Sequence, residues 1–319
     1  MENESHYGKP PGQPEGASQI ANDSNRPRVP KHEAQLTRRN DLRFVKSAEE
    51  VRKIQAIYAR CQFLNTRNLT VTFETTPETV RSLLPPPLEP MPEAVGSAWV
   101  AEIGNSDSVG PFTAAALHLR ARYQDIVGSY CIAMSVSTAE AASFGHDLYG
   151  EPAKLAKLTF ETQDEFVWGF AERHQVRFLS LRGRLTGAAA TGRRESSIFH
   201  FKFSPRPDGA GFDRPPHLMV VTTDSTIENA RRGRGELVFR ESPHDPLADI
   251  PVKQVIEAVY AEGHTYISAR TLCEVDPAAF LPYSFTRADA FDIVSEGTLL
   301  HAQAARRTRV GKGQWRNGH

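Results

Sequence analysis

A chain of 319 residues with 39% hydrophobic and 24% charged residues can build a packed core, which excludes a disordered or coiled-coil protein. Its formal net charge of +0 argues against nucleic acid or a membrane surface as the main partner. Cys61, Cys131 and Cys273 lie too far apart for a disulfide framework or a zinc site, and no apolar run approaches the roughly 20 residues of a membrane span. With a polar N-terminus that carries no signal-peptide core, these features give a soluble, cytoplasmic protein as the expectation.

Residues 1–46 are rich in Pro, Gly, Asn, Ser and charge, and too poor in aliphatic side chains to offset the entropy of ordering, so they read as a disordered tail. Ser47-Ala-Glu-Glu50 is a capping box, and Val51, Ile54 and Ile57 follow it at helical spacing, giving a helix that ends near Cys61. Asn68 to Thr75 alternates apolar and polar residues and reads as a strand. Thr76-Pro77 starts a short helix through Leu84, and Pro85-Pro-Pro87 stops it.

Beyond that point the chain breaks into short strand-like runs: 98–103, 114–122, 129–136, 158–163, 166–172, 177–184, 196–203, 217–223 and 236–239. Turns rich in Gly, Pro and Asp separate many of them. A late helix is predicted from Asp249 as N-cap, with Val252, Val255, Ile256 and Val259 on one face and Gly263 as its stop. Residues 304–319 are basic and polar and read as a frayed tail. The fold class expected is mainly β: an antiparallel sandwich or barrel in one domain, 47–303, with a few flanking helices.

No dinucleotide fingerprint, P-loop, H-E-x-x-H or G-x-S-x-G motif is present, and the eleven His residues show no metal-ligand spacing. No cofactor and no metal are therefore expected. What stands out is the stretch 145–158, with two Gly, a Pro and two Lys between an apolar run and a strand-like run. A lysine beside a rigid turn and apolar strands is what amine catalysis requires. Desolvation must supply free amine near neutral pH, where an ordinary Lys of pKa ~10.4 has almost none.

This stretch resembles the acetoacetate decarboxylase family, whose motif reads roughly Gly-Arg-Glu-Leu-x-x-x-Pro-Lys-Lys-Leu. The chain has Gly145-His-Asp-Leu148 and Pro152-Ala-Lys-Leu155. Asn65 with Thr70-Val-Thr-Phe73, Val80 to Pro85, Gly110-Pro-Phe-Thr113, Gly128-Ser-Tyr130 and Asp245 to Val255 extend the likeness, in one order, over about residues 63–292. The resemblance implies a cone-like antiparallel β-barrel, a homo-oligomer, and a pocket for small keto acids. There the first Lys of Pro-Lys-Lys forms a Schiff base with the substrate ketone.

Several of the implied site positions are changed. The Schiff-base position is Ala153, and Lys154 matches the companion Lys. The family's acidic residue after Gly-x-x-Thr falls on Ala114. Its pocket arginine falls on Thr66, with Arg67 one place on, while Glu102 matches an acid of the preceding strand. Lys154 is either a relocated amine or a lysine paired with a carboxylate such as Glu151 or Asp147. Glu102 is either a pocket acid–base or a solvated strand-end carboxylate. His118, Arg120 and Arg122 alternate and so share a strand face, either as a cationic wall inside the barrel or as an outer surface. Arg67 and Glu151 complete the substrate-binding candidates. Arg231-Arg-Gly-Arg234 reads as a solvated turn, with a phosphate or partner contact as the alternative.

The function expected is an enzyme of this type working on a keto acid or polyketide-like carbonyl compound. It would act as a lyase (decarboxylase, dehydratase or cyclase) without the Schiff base, with Glu102 or Lys154 moving protons. The alternatives are a true decarboxylase using Lys154 and a non-catalytic ligand-binding relative.

Overall fold

A computed structural model describes residues 43–289. The expected tails therefore lie outside the described residues, apart from 43–46. The chain divides into two compact units, Met1–Arg52 and Lys53–His319. In the first, the predicted capping box forms: the Ser47 backbone N–H donates to Glu50 Oε2 at 2.8 Å, and the Glu50 N–H donates to Ser47 Oγ at 3.3 Å. Helix α1 is Ala48–Ala59.

The second unit is built from strands β1 (Cys61–Glu74), β2 (Glu89–Pro90), β3 (Val95–Ser106), β4 (Phe112–Tyr123) and β5 (Ile126–Val136). Then come β6 (Ala153–Leu155), β7 (Lys157–Gln163), β8 (Phe166–Arg173), β9 (Val176–Ala188), β10 (Gly192–Lys202), β11 (His217–Phe239) and β12 (Gln254–Glu274). Helix α2 is Pro77–Leu83, capped by Thr76 Oγ1 with Pro77 in its first turn, as its sequence requires. Short helices α3 (Ala139–Phe144) and α4 (Pro277–Phe280) complete it, with a π-turn over Gly145–Tyr149.

Strands pair in the order β10-β5-β4-β3-β1-β12-β11, and β10 also pairs with β11, which closes a barrel. β9, β8 and β7 continue from β11 as a second layer. The core lies between the two: Leu69, Val71, Val100, Ala115 and Leu117 of the barrel pack on Phe160, Val167, Leu179 and Leu181 of the layer. The β-barrel is as expected. Its pairing is antiparallel except at β5, which runs parallel to β10 and β6.

Three readings are corrected. The late helix is strand β12, because 254–274 is hydrogen-bonded on both edges, to β1 and to β11. Its Val, Ile, Tyr and Thr content suits a pleated surface better than a helix, and the 3.6-residue spacing of its valines is coincidental. Runs 217–223 and 236–239 are one continuous strand of 23 residues. Arg231 to Arg234 therefore lies inside β11, where the sheet register shifts, and not in a turn. A Cβ at Gly233 would collide with the Arg184 carbonyl, so the bulge requires glycine there.

Candidate active site

Residues paired directly across strands share a face, so register alone sorts the site positions. Ala153 pairs with Met134, Met134 with Ala116, Ala116 with Trp99, and Trp99 with Thr70. Met134 and Trp99 pack with Ala114, Ala101 and Ile103 on the barrel's inner face, and Thr66 pairs with Ile103 there. The neighbouring row, Lys154, Ser135, Ala115, Val100 and Leu69, points the other way, into the core beneath the second layer. Thus Thr66, Ala114 and Ala153 all face the interior and bring it no charge. Arg67, Glu102 and Lys154, each beside or near such a position, face outward from it.

Lys154 is 8% exposed. Its Nζ donates to the His244 carbonyl at 2.8 Å and sits 3.3 Å from an oxygen of each of Asp245 and Asp289. Arg173 binds both carboxylates, at 2.8 Å to Asp245 Oδ2 and 2.6 Å to Asp289 Oδ2. Burial raises the Asp289 carboxyl, but hydrogen bonds from Arg173 and His174 and the Lys154 charge outweigh it and hold it far below the carboxylate range. The partners of Lys154 are thus distant in sequence and differ from the expected Glu151 or Asp147. Among the described residues His174, His244 and Asp289 could converge on a cation, with ligand atoms within 4.8 Å of one another. The two carboxylates there already face two cations, so the charges balance without a metal.

Arg67 and Glu102 do come together, at 2.6 Å, directly across β1 and β3. The guanidinium also lies over the Phe160 ring, 5.5 Å from its centroid. Burial would lower the Arg67 pKa, but the Glu102 hydrogen bond and charge raise it overall. Of the alternating trio on β4, His118 is buried in the barrel against Trp99, with ring centroids 5.8 Å apart. Arg120 and Arg122 are exposed, and Arg122 binds Glu89 at 2.5 Å. One strand face therefore begins inside the barrel and ends in solvent.

Burial lowers His118 to about 4 and His200 to about 3, so both imidazoles are neutral at pH 7. Glu151 follows the π-turn and its carboxyl packs on Gly145, where any Cβ would collide with it. Desolvation raises it to about 7, against the opposing pull of Arg287. Arg287 donates to the Gly150 carbonyl at 2.6 Å and the Phe201 carbonyl at 2.8 Å, tying this turn to β10. Burial lowers Arg287 to about 10. Neither His200 nor Arg287 was visible as a site residue in the sequence. Asp245 stood within a family-like landmark, but nothing marked it as the partner of Lys154.

The fold is a closed β-barrel flanked by a second sheet layer. The chain belongs to the acetoacetate decarboxylase family, whose model, described as acetoacetate decarboxylase (ADC), matches residues 50–274. An acetoacetate decarboxylase of Ralstonia nicotianae is 25% identical over 202 residues, 62% of this chain and 81% of the relative. The solved acetoacetate decarboxylase of Legionella pneumophila superposes with a TM-score of 0.62 at 18% identity, covering 67% of this chain and 87% of that one. The enduracididine biosynthesis enzyme MppR, solved with the condensation product of pyruvate and imidazole 4-carboxaldehyde, gives 0.59 at 16% identity over 68% and 90%. At these identities the structural likeness speaks to fold. No helix among the described residues is long and apolar enough to cross a membrane.

Proposed function

We propose that the chain is an acetoacetate decarboxylase-like enzyme that acts on a keto acid or polyketide-like carbonyl compound without forming a Schiff base. The observation that carries this reading is the placement of the one lysine of the motif. Lys154 lies on the opposite sheet face from Ala153 and is held by Asp245, Asp289 and the His244 carbonyl. A methyl group cannot form an imine, and a buried ammonium that donates to a carbonyl and a carboxylate and pairs with a second carboxylate is a poor nucleophile.

Proton transfer at carbon next to a carbonyl needs an acid–base group titrating near the working pH, and Glu151 at about 7 meets that need. As carboxylate it takes a proton from the carbon, and as acid it returns one to the enolate carbon or to a leaving oxygen. The carbon–carbon or carbon–oxygen bond breaks with its electrons kept on the departing or enolate side. In this reading Lys154 and Glu102 serve the fold as ion-pair members and do not move protons.

The test is to incubate the protein with acetoacetate and related keto acids in deuterium oxide, follow carbon dioxide release and deuterium uptake, and reduce a parallel sample with borohydride. Turnover or exchange without an adduct is expected. A reduced adduct mapped to Lys154 overturns the reading and favours the imine route. Absence of both exchange and turnover with every carbonyl compound tried would favour a ligand-binding relative.

A further inference from the structure

One well-formed apolar cavity among the described residues is not on the barrel's inner face. It measures about 430 Å³ and lies on the Lys154 side of β5 and β6, between α2, β5 and the loop 244–250. Its walls include Leu83, Ile132, Leu247 and Ile250, with Lys154 among the polar groups. Small-molecule sites run from roughly 300 to 1,000 Å³ and are mostly apolar with a few convergent polar groups, and this cavity meets both criteria.

We propose that this cavity is a second ligand site, separate from the barrel interior, which takes an uncharged, largely apolar carbonyl or hydroxyl compound. Charge selects the class. Three acceptors, the His244 carbonyl, Asp245 and Asp289, already surround the Lys154 ammonium. Two of these are hydrogen bonds, to the His244 carbonyl and Asp245, and Asp289 pairs with the ammonium by charge, so its positive charge is already matched before an incoming carboxylate arrives. The wall also carries the acidic residues Glu78 and Asp249, which repel an anion. An apolar body is matched by the Leu and Ile side chains, and the Ser82 and Ser135 hydroxyls in the wall orient a single carbonyl or hydroxyl. The site thus discriminates against the keto acids proposed for the interior, and it stands whether or not that reading holds.

The full chain is titrated with 2-acetylnaphthalene as the neutral probe and 2-naphthoate as its anionic counterpart, by calorimetry at pH 7.5. One saturable equivalent of the ketone is expected, with naphthoate at least tenfold weaker. Ser82 is exposed on the α2 wall, so Ser82→Trp narrows the cavity without disturbing the core and is expected to weaken the ketone at least tenfold. Ile132→Trp, from β5, is the second variant, with circular dichroism melts reporting its fold. Ala153→Leu, which fills the other face, is expected to leave ketone binding within twofold. No saturable ketone binding to the native chain, equal affinity for naphthoate, or a loss in Ala153→Leu with none in Ser82→Trp each overturns the proposal.

Discussion

A carboxyl that keeps its proton up to about pH 7 in the folded chain, as Glu151 does, makes folding depend on pH in a definite direction. In the unfolded chain Glu titrates near ~4.3. Between those values the unfolded state holds fewer protons than the native state, so stability falls as pH rises from about 4 to 7 and is level above. Glu151→Gln removes the penalty. It is expected to stabilise the fold by about 3–4 kcal/mol at pH 8 and to leave it unchanged at pH 4, read as the difference in denaturant midpoint at the two pH values. Equal stabilisation at both would mean that the carboxyl is not buried as described. The Lys154 cluster works through charge balance. Lys154→Met leaves Asp245 and Asp289 sharing Arg173, with only His174 as a further partner of Asp289, in a largely buried setting. That change is expected to cost about 3 kcal/mol in urea denaturation, and adding Asp245→Asn should restore a good part of it. A Lys154→Met variant as stable as the native chain would remove the cluster from the account of the fold.

Local signals were legible wherever a segment's structure depends on itself. The capping box at Ser47, Thr76-Pro77 at α2, and the alternating runs of β3, β4, β5, β8 and β9 all formed close to where the sequence put them. The failures share one cause: partners far away in the chain. Residues 254–274 carry a helical spacing of valines, yet β1 and β11 claim both edges of the segment. No local pattern announces a strand that is central to a sheet. The hairpin between β8 and β9 turns on His174 and Gln175, at φ 48° and 64°, with no glycine to mark it. Arg173 and His174 at that hairpin meet Asp245 and Asp289 from two other segments, so this cluster could not be read from spacing. Gly233 is the converse case, a glycine whose meaning appears only in the folded sheet. Gly233→Ala drives a methyl into the Arg184 carbonyl at the β9–β11 register shift. It is expected to cost at least about 2 kcal/mol, with faster amide exchange confined to β9 and β11. A neutral effect would show that the two strands can slide apart cheaply.

At the scale of the whole molecule, the family's barrel persists, and the positions that the resemblance assigns to its chemistry hold Thr66, Ala114 and Ala153. Thr66, Ala114 and Ala153 converge on one interior face, where the resemblance implies a cation, an acid and an amine. The resemblance requires those three positions to share a face. It also makes the missing amine testable. Ala153→Lys places an ammonium on the interior face, beside the position of Glu151 two residues earlier. The carboxylate there favours the charged amine and works against imine formation, whereas burial favours the neutral form. The single variant is therefore expected to give a small, pH-dependent yield of reduced adduct with acetoacetate and borohydride, mapped to position 153 and not to Lys154. Combining it with Glu151→Gln removes the competing charge and should raise the yield at pH 7 severalfold. If both variants fold, as judged by melting temperature, and neither traps a ketone, Ala153 does not occupy the family's amine position and the reading of the interior as a displaced catalytic site fails with it.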